Sequence, residues 1–116
     1  MPVPAEIPRY LAPTPVKRGR EEDFESFIRD VIVPAVRMAR PDQADQWQVL
    51  RPSNDQAHDE TRSYVFVFYG HAPIEDWDLD TLLPAALGQD EGTRRSKQFN
   101  EFVDGEQILY SLDGQV

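Results

Sequence analysis

The chain has 116 residues and no cysteine, so it can build one domain core and offers neither disulfides nor thiolate metal sites. Asp and Glu total 21 against 12 Lys and Arg, a formal charge of −9, and such a field repels phosphate backbones and anionic lipid surfaces. No stretch approaches the roughly 20 apolar residues of a membrane span, and Met1–Arg9 has no apolar run of signal-peptide length, so a cytoplasmic location is expected with neither nucleic acid nor membrane as partner.

Residues 1–8 are expected to form an N-terminal arm, followed by a single domain over 9–116. Arg9–Val16 (RYLAPTPV) opens that domain as a strand. Pro13 and Pro15 sit two apart, so both missing N–H groups fall on one edge, and the strand is expected to be regular only to about Ala12. The basic cluster Lys17-Arg18-Gly19-Arg20 is cancelled at once by Glu21-Glu22-Asp23 and reads as a solvated turn. A helix follows, with Phe24, Phe27, Ile28, Val31, Ile32, Ala35 and Met38 recurring at helical spacing along one face. Acids in its first turn and Arg37 and Arg40 in its last suit the helix dipole, and Pro41 stops it. Pro34, inside the pattern, predicts a kink near Asp30.

Gln46–Arg51 reads as a short strand with Trp47 and Val49 on one side and Leu50 on the other, and Pro52–Thr61 as a polar loop. Ser63–Tyr69 (SYVFVFY) is the strongest strand. Asp78 is placed to cap a short helix bearing Leu79, Leu82, Leu83 and Ala86, with Pro84 inside it and Gly88 at its end. Glu91–Phe102 is helical, Asp104-Gly105 a turn, and Gln107–Leu112 the last strand. The order predicts an α+β fold of the ferredoxin-like βαββαβ kind, a four-stranded antiparallel sheet with helices on one face.

Both parities of the strongest strand are apolar, Tyr64, Phe66 and Phe68 on one face and Val65, Val67 and Tyr69 on the other. Helices cover only one face, so the other needs a partner. A second copy of the same sheet, related by a two-fold axis, is the economical one; the alternative cover is the long loop together with the N-terminal arm.

The passage Val16-Lys17-Arg18-Gly19-Arg20-Glu21-Glu22-Asp23-Phe24, the helix with its internal Val33-Pro34-Ala35, and the closing Gly105-Glu106-Gln107-Ile108-Leu109-Tyr110 resemble the dimeric α+β barrel superfamily, which includes antibiotic-biosynthesis monooxygenase-like and stress-responsive barrel proteins. The resemblance implies a homodimer and a pocket between helices and sheet in each protomer. That pocket would suit a small hydrophobic or aromatic metabolite, with cofactor-independent monooxygenase-like chemistry at most. The two prolines in the first strand and the long loop before the third depart from the family's pattern.

No phosphate loop, dinucleotide fingerprint, zinc spacing or nucleophile elbow is present, and no metal or cofactor is expected. Among titratable residues His71 stands out, at the end of the strongest strand and close to Glu75, Asp76, Trp77 and Asp78. It is the candidate general base; the plainer reading is a loop histidine bonded to a carbonyl or to Asp76. His58 sits in the polar loop, where solvation is expected. Trp77, Trp47 and Tyr69 are candidates for a ligand wall, against core packing for the tryptophans, and Arg51 for a ligand carboxylate, against a surface ion pair. Three functions follow: a dimer that binds and perhaps transforms a small apolar metabolite, a non-catalytic assembly protein whose apolar face serves dimerisation only, and a haem-binding barrel using His71. Whether the chain is an enzyme is left open by its residues.

Overall fold

A computed structural model gives the fold, described for residues 7–53, 62–70, 72–114 and 116. Expectations for residues 1–6 of the arm, most of the polar loop with His58, and His71 lie outside the described residues. The chain is α+β. Strands β1 (Tyr10–Val16), β2 (Trp47–Leu50), β3 (Arg62–Phe68) and β4 (Tyr110–Ser111) form one antiparallel sheet in the order β2-β3-β1-β4. Each helical crossover, from β1 to β2 and from β3 to β4, therefore skips one strand.

The prolines of β1 shape one edge of the sheet. Contrary to the expected irregularity after Ala12, β1 pairs with β3 along its whole length, from Tyr10 opposite Phe68 to Val16 opposite Arg62. Odd-numbered residues of β1 face the other way: the carbonyls of Arg9, Pro13 and Pro15 accept from the N–H groups of Leu112 at 2.8 Å, Ile108 at 3.2 Å and Asp104 at 2.9 Å. Both missing N–H groups thus fall on the β4 side, where no ladder can continue past Leu11. That is why the expected six-residue final strand shrinks to Tyr110–Ser111, opposite Leu11 and Tyr10.

Lys17–Arg20 is an exposed turn, with Gly19 in the left-handed region (φ 86°) and its N–H donating to Glu21 Oε1 at 2.7 Å. Helix α1 (Glu21–Phe27) runs through a π turn, Ile28–Ile32, into α2 (Val33–Ala39). The expected kink thus takes the form of a π turn, closed by the Val33 N–H donating to the Ile28 carbonyl just before the proline that cannot donate. One extra residue in a turn advances the helix phase by about 100°. Phe24, Phe27, Ile32 and Ala35 face the core as the spacing predicts, but beyond the turn Val36 joins them, and Met38, expected inside, is 68% exposed. The unbroken periodicity of the sequence missed this shift.

Helix α3 (Leu79–Leu87) is capped by Asp78, whose Oδ1 accepts from the Asp80 N–H at 3.1 Å. Gly88, with φ 92°, ends α3 and starts α4 (Gln89–Phe102). Helices and sheet enclose an aromatic core of Phe24, Phe27, Tyr64, Phe66, Phe68, Phe99 and Phe102. Tyr64, Phe66 and Phe68 share one face, as the alternation predicts, and the structure shows it to be the helix-covered one. On the opposite face Leu11, Pro13, Pro15, Val65 and Tyr69 are half-buried, Leu50 is exposed, and Val67 is buried. Among the described residues no helix is long and apolar enough to cross a membrane.

Candidate functional site

A cleft of about 430 Å³ lies between the sheet and the helix layer. Its floor is β-sheet: Ala12 of β1, Trp47 of β2, and Phe66 and Phe68 of β3. Ala12 sits between larger neighbours on that face, so the floor is hollowed at its centre. Ile32 and Val36, the latter brought inward after the π turn, form one wall. Leu82 of α3 and Ser96, Phe99 and Asn100 of α4 form another, while Gln107 and Leu109 close the side where β4 has been cut short. The prolines of β1 therefore act on the site indirectly, because the segment they release from the ladder supplies that side.

The aromatic lining is continuous. Trp47 stacks near-parallel on Phe66 with ring centres 6.5 Å apart, Phe66 stacks on Phe68 at 6.4 Å, and Phe68 meets Trp77 at 5.0 Å. Trp47 and Trp77 face each other at 6.5 Å. Trp77 arrives on a short 3-10 turn, Ile74–Trp77, anchored by Arg40 at the end of α2, whose Nε donates to the Asp76 carbonyl at 3.3 Å. The Trp77 side chain is buried, and its indole Nε1 has no hydrogen-bond partner among the described residues. An unmet buried donor of this kind costs about 1–3 kcal/mol, which an acceptor on a bound molecule would recover.

The polar lining of the cleft comprises Glu75, Asp78, Asp80, Ser96, Asn100 and Gln107, and hydrogen bonds hold several of these in place. Thr14, fully buried on β1, donates to the Ala12 carbonyl at 3.0 Å and accepts from Gln107 Nε2 at 2.8 Å, which fixes Gln107 against the sheet. Buried Ser96 of α4 donates to Asp80 of α3, a contact that ties the two helices together at the cleft wall. Neither pair stood out in the sequence, since a lone Ser or Thr carries no signal until the fold supplies its partner. Among the described residues no group of three or more His, Asp or Glu is placed to hold a metal ion.

A smaller hollow of about 230 Å³ lies beside the π turn, lined by Glu25, Ile28, Arg29, Val33, Val49, Arg51 and Tyr64. The Arg51 guanidinium grips Glu25 with both ends of its fork, its Nε donating at 2.8 Å, and the Tyr64 hydroxyl donates to Glu25 Oε2 at 2.6 Å. Arg51 thus takes the ion-pair role and not a place in the main cleft. Its hydrogen bonds, with help from Tyr64 and against partial burial, hold the Glu25 carboxyl below its ordinary range. Burial, then the bond to the Glu25 carboxylate, pushes the Tyr64 hydroxyl up.

Opposite pH dependences follow. Glu25, depressed in the folded state, contributes stability that is complete above its ordinary value of 4.5 and is lost as the pH falls through the folded value. Tyr64, raised, contributes stability that is complete below 10.0 and lost as the pH rises past it. Glu25→Gln is expected to cost about 1–2 kcal/mol at neutral pH, and the cost should shrink in acid. Urea midpoints of both proteins between neutral and acid pH measure this; a cost independent of pH would show that the carboxylate charge is not what matters.

Of the residues singled out in the sequence, Trp47 and Trp77 line the main cleft, Arg51 lines the smaller hollow, and Tyr69 lies at the opposite sheet face, its hydroxyl accepting from Gln48 Nε2 at 2.7 Å. Comparison with family models, curated proteins and solved structures found no match to this chain.

Proposed function

We propose that this chain is a small-molecule-binding domain whose ligand, a compact apolar or aromatic metabolite, sits in the cleft between helices and sheet. The observation that carries the proposal is the concave lining with its run of aromatic rings, Trp47, Phe66, Phe68, Trp77 and Phe99, and an indole donor that has no acceptor among the described residues. A cleft of about 430 Å³ is within the range that small metabolites fill, and an apolar wall with few convergent polar groups is how such sites are usually built. The two split β-α-β crossovers fit a ferredoxin-like arrangement, and the half-buried apolar face of Leu11, Pro13, Pro15 and Val65 fits a two-fold pairing of sheets, as in a dimeric α+β barrel.

A titration with 1-naphthalenemethanol, followed by quenching of indole fluorescence, tests the binding role. Saturable binding is expected, and Ala12→Leu, which extends a branched side chain from the cleft floor, should weaken it at least about tenfold. Retention of full affinity in Ala12→Leu would place the ligand elsewhere. Val65→Lys tests the pairing separately: its expected effect is a solution mass falling from two chains to one, and an unchanged mass rules out that face.

A further inference from the structure

From the charge of the cleft wall we infer that its preferred occupant is an organic ammonium ion, an amine carried on a flat apolar body. The inference rests on the cleft being the ligand site and names the charge of what enters it. Glu75, Asp78 and Asp80 all line the cleft, and among the described residues no Lys, Arg or His does. The three acids are exposed residues of the segment that carries the indole. Glu75 and Trp77 share the 3-10 turn, Asp78 follows as the cap of α3, and Asp80 lies in that helix's first turn.

Among the described residues none of these three carboxylates is ion-paired; the arginines that make salt bridges do so with Asp23, Asp30, Glu25 and Glu91. Their hydrogen bonds position them without cancelling their charge. Asp78 accepts from the Asp80 N–H, and Asp80 accepts from the buried Ser96 hydroxyl. Trp77, in the same wall and only 8% exposed, independently points to a ligand through its unpartnered Nε1, which calls for an acceptor on the occupant's body. An ammonium group at this wall meets uncompensated carboxylates and aromatic faces together, and each attracts it. A carboxylate or phosphate ligand would meet three like charges there. The chain's charge of −9 adds long-range steering of the same sign.

Three probes with one ring system, each with a ring methoxy group as the acceptor for Trp77 Nε1, separate these effects at neutral pH: 4-methoxy-1-naphthylmethylamine as the ammonium, 4-methoxy-1-naphthalenemethanol as its neutral counterpart and 4-methoxy-1-naphthoate as the anion. The ammonium is expected to bind about tenfold or more tightly than the alcohol, with the anion weakest. Glu75→Gln combined with Asp80→Asn should remove most of the ammonium's advantage over the alcohol, since Asp78 is then the one carboxylate left in the wall among the described residues. Glu22→Gln combined with Asp42→Asn removes the same charge outside the cleft and should leave the preference in place. Equal binding of ammonium and alcohol by the unmodified chain would overturn the ammonium inference and leave the cleft as a ligand site. So would a preference that both double variants reduce alike, since it would then belong to the overall field. No saturable binding by any probe would overturn both.

Discussion

Phe24→Ala is expected to cost about 3–5 kcal/mol, a large share of the roughly 5–15 kcal/mol that holds a domain of this size folded. Phe24 is fully buried at the meeting point of helix α1, strand β3 and helix α4. Its ring lies 5.0 Å from Tyr64, 6.3 Å from Phe66, and 5.8 Å from both Phe99 and Phe102. Removing it forfeits the transfer energy of a whole ring and leaves a void that these rigid neighbours cannot collapse to fill. Thermal melting should show a midpoint lower by more than about 10 °C, with Phe24→Leu much milder. A loss under about 1 kcal/mol would mean that the ring cluster is not the centre of the core.

Gly92→Ala is expected to destabilise by about 3 kcal/mol, against the usual sign for a helix interior, where alanine gains about 1 kcal/mol over glycine. Gly92 is buried in the first turns of α4, and a Cβ there would stand 2.3 Å from the backbone N and Cα of Pro84 and 2.6 Å from the carbonyl carbon of Leu83. Backbone cannot yield as a side chain does, so α3 and α4 would have to separate. The same helices hold the Asp80–Ser96 contact at the cleft wall, so the change should also weaken ligand binding. Thr93→Ala, one residue on and exposed, should shift stability by no more than about 0.5 kcal/mol. Urea unfolding of the two variants decides the matter; a stabilised Gly92→Ala would mean that the helices are not in backbone contact.

The parts of the fold that could be read in the sequence are those set by local periodicity. The alternation of Tyr64–Phe68 placed three aromatic rings on one face, though not which face the helices cover, and Asp78 and Gly88 marked both ends of α3. What could not be read arose from contacts between distant segments. Pro13 and Pro15 announced a crippled edge, but only the strand order shows that β4 loses by it. Pro34 announced a kink, yet the π turn's change of phase, which sends Met38 outward and Val36 into the cleft, depends on the fit of the helix against the sheet. Trp47 and Trp77 are visible as candidates in the sequence, while Ala12 and Gln107, which shape the same cleft, are unremarkable until the sheet places them.

The most direct test is to follow backbone and side-chain nuclear magnetic resonances while 1-naphthalenemethanol is added to the intact chain. The account predicts saturable shifts concentrated on Ala12, Ile32, Trp77, Leu82 and Phe99, with the opposite face, represented by Leu50, Val65 and Tyr69, unmoved. Shifts centred on that opposite face, or none at all at high ligand concentration, would contradict it.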